Sequence, residues 1–175
     1  MKTKQEKPVV LMLFNLTDAA PQPWLDAGYN VVACDVQHTG VWCDKTTSGA
    51  EYHRVNYRAG SWQLAEYLDQ RGLDVRFVMS FAPCTDMAVS GAAHFENKRA
   101  QNPQFQVEAV ALAKLAADYG VPYMVENPVS VLATMWRKPD HYFHPCDYGG
   151  YLLEGDKHPL YSDVLPPRDA YNKKT

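Results

Sequence analysis

The sequence lacks any apolar run near the ~20 residues that a membrane-spanning helix needs. Its opening, Met1-Lys2-Thr3-Lys4-Gln5, lacks the apolar stretch of a secretory signal. A soluble, cytoplasmic protein is the expectation. Cysteine is scarce, with four residues at positions 34, 43, 84 and 146 and no close pair. A disulfide framework is therefore not expected, and each thiol must be judged singly as core filler, ligand or nucleophile. An excess of positive charge is lacking too, since 17 basic residues stand against 20 acidic ones for a net charge of −3. Charge alone would not keep such a chain on duplex DNA. Internal repeats and low-complexity segments are absent, and 175 residues leave no room for a separate recognition domain of roughly 100 residues beside a catalytic one. With 46% hydrophobic residues the chain can bury one core of ordinary size. The expected organisation is a flexible tail over 1–7 and a single domain over 8–175, irregular from 139 onward.

Within that domain, short apolar runs alternate with helical patterns. Pro8 to Phe14, Asn30 to Val36, Asp74 to Phe81 and Pro122 to Glu126 read as buried strands. Asp18 is expected to cap a helix running to Ala27, with Gly28 as its stop. Ser61 to Arg71 and Gln104 to Tyr119 carry helical spacing, the latter through Phe105, Val107, Val110, Ala111, Leu115 and Ala116. Gln37 to Tyr57 reads as a long polar loop, and a short helix is expected after Val129. This alternation predicts an α/β fold, a mostly parallel sheet with crossover helices on its faces. Ligands of such sheets bind beyond the carboxyl ends of the strands. Polar or reactive groups stand at all four ends: Phe14-Asn15, Asp35, Cys84 and Glu126-Asn127.

Ala82-Pro83-Cys84 after one strand and Glu126-Asn127-Pro128 after the next form the most telling pair. A lone cysteine is usually a small buried thiol, and Glu-Asn alone can be a cap or a loop ion pair. Together, in this order, they resemble the cytosine-5 methyltransferase family. Its nucleophile sits in a Pro-Pro-Cys loop and its acid in a Glu-Asn-Val segment. Trp24 to Tyr29, Cys34 to His38 and Trp136 to Pro139 look similar to the short members encoded by phages and mobile elements. The resemblance covers most of residues 8–150 and implies a Rossmann-like, methyltransferase-type fold, compact or truncated. It implies S-adenosylmethionine as cofactor and transfer of its methyl group to carbon 5 of cytosine. Cys84 would attack carbon 6, Glu126 would protonate ring nitrogen 3, and Asn127 would orient it. Phe14, Asn15, Thr17, Asp35, Val36 and Pro83 would hold the donor, while Thr85, Ser90 and Arg137 would contact the base or phosphates. A cytosine in a duplex would have to be flipped out of the stack.

The sequence departs from the family in two places. The glycine-rich loop, Phe-x-Gly-x-Gly, is here Phe14-Asn15-Leu16-Thr17-Asp18, without either glycine. Within 175 residues no room is expected for a target recognition domain or an arginine-bearing motif. Arg99, Arg137, Lys138, Arg168, Lys173 and Lys174 are scattered basics that usually form solvated surface. Two alternatives therefore stand beside DNA methylation. One is an enzyme modifying cytosine nucleotides with another donor; the other is a degenerate fold that binds DNA or a protein. Either a homodimer or a recognition partner is compatible with this chain. His141, His144, Cys146 and His158, like Cys34, His38 and Cys43, match no paired metal-ligand spacing, so no metal is expected. Tyr142, Phe143, Tyr148, Tyr151 and Tyr161 are expected to pack the irregular tail onto the sheet.

Overall fold

Val9–Leu13 is apolar at every position and buried at every position, as a strand covered on both faces must be. It is β1, the centre of the sheet. Alternate residues point to opposite faces. Val9, Leu11 and Leu13 enter one core with Val32, Cys34, Val55 and Val78, and Val10 and Met12 enter a second with Val31, Ala33 and Tyr52.

The computed structural model describes residues 7–148 and 174–175. Almost all of the expected tail over 1–7 lies outside these residues, as do Tyr151, His158, Tyr161, Arg168 and Lys173. The chain divides into two units, one of residues 7–83 and 111–126, the other of 84–110, 127–148 and 174–175.

The first unit is a mixed, mostly parallel sheet with flanking helices. Its further strands are β2 (Asn30–Cys34), β3 (Trp42–Lys45), β4 (Glu51–Val55), β5 (Val75–Ser80) and β6 (Tyr123–Val125), in the spatial order β3-β4-β2-β1-β5-β6. Every pairing is parallel except that of β3 with β4. The chain winds outward from β1 through β2 to β4, then returns to β5 on the other side. This puts a topological switch point between β1 and β5. Helix α1 (Pro21–Asp26) packs Leu25 and Trp24 on the face of Val10 and Met12. Helix α2 (Trp62–Gln70) packs Leu64, Tyr67 and Leu68 on the opposite face, together with Leu115 and Ala116.

Several local expectations change. The polar stretch 37–57 is no loop: β3 and β4 form a hairpin within it, and β4 extends the parallel core beside β2. Its polar letters concealed a strand because His53 is buried and hydrogen-bonded while Arg54 faces the other way. Asp18 does not cap α1, whose N-cap is Ala20 without a side-chain bond. Its backbone carbonyl accepts from Gln22, while its carboxylate is engaged elsewhere. The helix expected over 104–119 is α4 (Phe105–Lys114), followed by a 3₁₀ turn at Leu115–Tyr119. Phe105, Ala109, Val110, Ala113 and Ala116 are its buried stripe, whereas Val107 and Ala111 face outward.

The second unit begins at Cys84. A 3₁₀ turn at Val89–His94 leads into α3 (Phe95–Gln101), and Phe95 meets Phe105 edge-on with ring centroids 5.7 Å apart. Ala88 bridges Ser130, and Val131 N–H donates to Met87 O at 3.1 Å, tying the segment before α5 (Leu132–Met135) to the Cys84 segment. Tyr142, Phe143 and Tyr148 are exposed rather than packed, and Phe143 touches Tyr148 edge-on.

Candidate functional site

The carboxyl ends of β1 and β2 are stitched together. Asn15 N–H donates to Cys34 O at 3.3 Å, and Asn15 Nδ2 donates to Thr17 O at 2.8 Å. His38 Nε2 stands 3.1 Å from Asn15 O, and Asp35 Oδ1 accepts from Gln37 N–H at 2.8 Å. Asp35 thus caps a turn with one carboxylate oxygen. Val36 beside it is exposed. Phe14 has φ +59°, a left-handed conformation rare for a bulky residue. The chain therefore makes the sharp turn after β1 without glycine. The Phe14 ring also packs against the core, which limits its freedom to stack on a ligand.

Asp18, at the end of the turn after β1, is bound to β4. It accepts from the Tyr52 hydroxyl at 2.8 Å and pairs with Arg54 at 3.3 Å, while Arg54 also reaches Asp44 at 2.8 Å. Burial raises its pKa, but Tyr52 and Arg54 outweigh burial and hold the carboxyl below its ordinary 3.8. Because the folded value is the lower one, the resulting stability is complete above about pH 4 and is lost as pH falls through the depressed value. Asp18→Asn should therefore be less stable than wild type at pH 7. The side chain is 61% exposed, so the loss should stay below about 1 kcal/mol. Urea midpoints should converge as the pH falls through the depressed value; an offset that persists unchanged in acid would show that the charge is not the source.

At the other side of the switch point, β5 and β6 end together. Phe81 N–H donates to Leu13 O at 3.0 Å, and Glu126 N–H donates to Ser80 O at the same distance. The Ser80 hydroxyl is fully buried and has no hydrogen-bond partner among the described residues. Ala82 is buried and Pro83 exposed as the chain leaves the first unit. In the second unit, Cys84 O accepts from the N–H groups of Met87 and Ala88, at 2.9 and 2.8 Å. Lys98 clamps the same turn by donating to Thr85 O at 2.9 Å and pairing with Asp86 at 2.6 Å. Cys84 itself is half-buried. Ser90 is exposed on the following 3₁₀ turn, Arg137 pairs with Asp140 at 2.7 Å, and Asn127 is half-buried just past β6.

The other thiols differ. Cys34 donates to Tyr57 O at 3.1 Å, and burial, aided by Asp35, pushes its pKa up to about 12. It is core. Cys43 lies across from His53 in the β3–β4 register and, with Glu51, forms a group of thiol, imidazole and carboxylate. Desolvation lowers the His53 pKa despite Glu51, leaving the ring neutral at pH 7. The sequence spacing grouped Cys43 with Cys34 and His38 instead. The missed signal was strand alternation: residues 51 and 53 share a face, and only the hairpin register adds 43.

Compared with known proteins, the chain matches no family model, no curated protein and no solved structure. Among the described residues no helix is long and apolar enough to cross a membrane.

Proposed function

We propose that this chain is a Rossmann-like cytosine-5 methyltransferase of the short phage or mobile-element type, acting on cytosine in DNA or in a nucleotide. One observation carries the reading. The Ala82-Pro83-Cys84 and Glu126-Asn127 segments leave β5 and β6, which pair in parallel, at the same edge of the sheet. The switch point beside β1 supports a donor site there, with Phe14, Asn15, Thr17, Asp35, Val36 and Pro83 around it. The left-handed turn at Phe14 fits a close-approaching ligand, although Asp18 is committed to Tyr52 and Arg54.

Carbon 5 of cytosine is a poor nucleophile until the ring is activated. In the proposed reaction, Cys84 as thiolate bonds to carbon 6, and Glu126 delivers a proton to nitrogen 3, leaving an enamine. S-adenosylmethionine, when bound, supplies the electrophilic methyl group that carbon 5 takes up. Methyl transfer leaves the demethylated donor; loss of the carbon 5 proton to solvent, expulsion of Cys84 as thiolate and return of the nitrogen 3 proton to Glu126 then restore the aromatic ring. Asn127 holds Glu126 in orientation, and Thr85, Ser90 and Arg137 contact the target.

A second reading keeps Cys84 and Glu126 but replaces the donor, favoured by the loop after β1 being tied to β4 through Asp18. Calorimetric titration with S-adenosylmethionine and its demethylated product separates the two. The first reading expects a Kd of about 1–10 μM, near −7 to −8 kcal/mol. A folded chain that binds neither compound would remove that reading.

A further inference from the structure

The β3–β4 hairpin gathers three unlike donors on one face. Cys43 and His53 are directly opposed in the antiparallel register, and Glu51, two residues before His53, points the same way. One ligand atom from each lies within 4.8 Å of the others. Cys43 Sγ is 3.8 Å from His53 Nε2, and Glu51 Oε2 is 3.5 Å from the same nitrogen. In a tetrahedral zinc site, with Zn–S about 2.3 Å and Zn–N or Zn–O about 2.0 Å, adjacent ligand atoms stand roughly 3.3–3.6 Å apart. The two pairs that share His53 Nε2 are within a few tenths of an ångström of that spacing, and the Cys43–Glu51 pair, within 4.8 Å, can close by side-chain rotation at the exposed Cys43.

We infer that Cys43, Glu51 and His53 form a zinc-binding site, with the fourth position open to solvent. The surroundings support it independently of the proposed function. His53 is 1% exposed, and its Nδ1 is 2.9 Å from the Tyr67 hydroxyl of α2. Histidines that ligate metals usually have the other ring nitrogen held in this way. A tyrosine hydroxyl either donates or accepts, so Tyr67 follows the ring when the metal takes Nε2 and the proton resides on Nδ1. Lys45 lies 3.6 Å from Glu51 Oε1, which leaves Oε2 facing the imidazole. Asp44 and Arg54 pair on the opposite face. Among the described residues, Arg71, over the Tyr67 ring at 5.0 Å, is a further nearby cation. Thiolate and carboxylate together offset it and Lys45. Binding releases the Cys43 thiol proton to solvent and ties the exposed edge strand β3 to the buried His53–Tyr67 pair.

The test uses the full chain stripped with a chelator. Titration with zinc chloride should show one ion per chain, and cobalt should give a thiolate-to-metal charge-transfer band. Cys43→Ser, at an exposed position, should keep the fold, lose the band and weaken zinc binding by about tenfold or more. Tyr67→Phe should weaken it by roughly 10–100-fold. Cys146→Ser should bind as wild type does. No binding by folded wild type at about 100 μM zinc, or equal binding and an unchanged band after Cys43→Ser, would overturn the site.

Discussion

Cys84→Ala is expected to abolish covalent trapping on an oligonucleotide carrying 5-fluorocytosine, with no change in fold. Fluorine at carbon 5 cannot leave as a proton does, so the adduct of wild type should persist through denaturing electrophoresis. The variant lacks the attacking sulfur, and methyl transfer should fall by roughly 10⁴-fold or more, about 5 kcal/mol in barrier. The backbone argues that the fold survives. The turn is held through Cys84 O, through Thr85 O and through Asp86, none of which involves the thiol. Cys84 is also half-buried, so its loss opens no large core cavity. Cys34→Ala is the contrasting variant, since a thiol near pKa 12 cannot supply thiolate at pH 7. It should retain trapping wherever it folds. An adduct that survives Cys84→Ala would transfer the nucleophile elsewhere and sink the assignment.

The sequence was most legible where burial on both faces left one choice. Val9–Leu13 and residues 31–34 are unbroken apolar runs, and their strands appear within one or two residues of the expected bounds. The helical spacing over Ser61 to Arg71 is met by Trp62–Gln70, and the structure adds Ser61 as its cap, with Oγ accepting from Leu64 N–H. Legibility failed where a polar side chain is satisfied by a distant partner. Asp18 looks like a cap, yet its carboxylate binds Tyr52 and Arg54, more than 30 residues away. His53 reads as loop, yet Tyr67 makes it a core residue. These long-range bonds have no local signature; alternation could have put residues 51 and 53 on one face, but only the hairpin register brings Cys43 to them. The strand-end residues were legible because parallel topology alone puts them at the edge; the Phe14 conformation and the Asp18 tether were not.

That same edge frames the second large effect. Glu126 follows β6 directly, its N–H bound to Ser80 O, so the backbone that carries the carboxyl is an extension of the β5–β6 ladder. In the proposed role of general acid, a carboxyl carried on a strand end would be held in place by the ladder. Glu126→Gln preserves side-chain shape and hydrogen-bonding length but has no proton to give as the ring becomes an enamine. Methyl transfer should drop by about 10²–10⁴-fold, the usual worth of a general acid. Binding of S-adenosylmethionine should stay within about twofold, since Glu126 stands outside the proposed donor contacts. The trapped 5-fluorocytosine adduct should form slowly rather than vanish, which distinguishes this variant from Cys84→Ala. Single-turnover rates for both variants, measured beside donor affinity, separate the two roles. A Glu126→Gln rate within a few fold of wild type would assign the nitrogen 3 proton to another group, whatever Cys84 does.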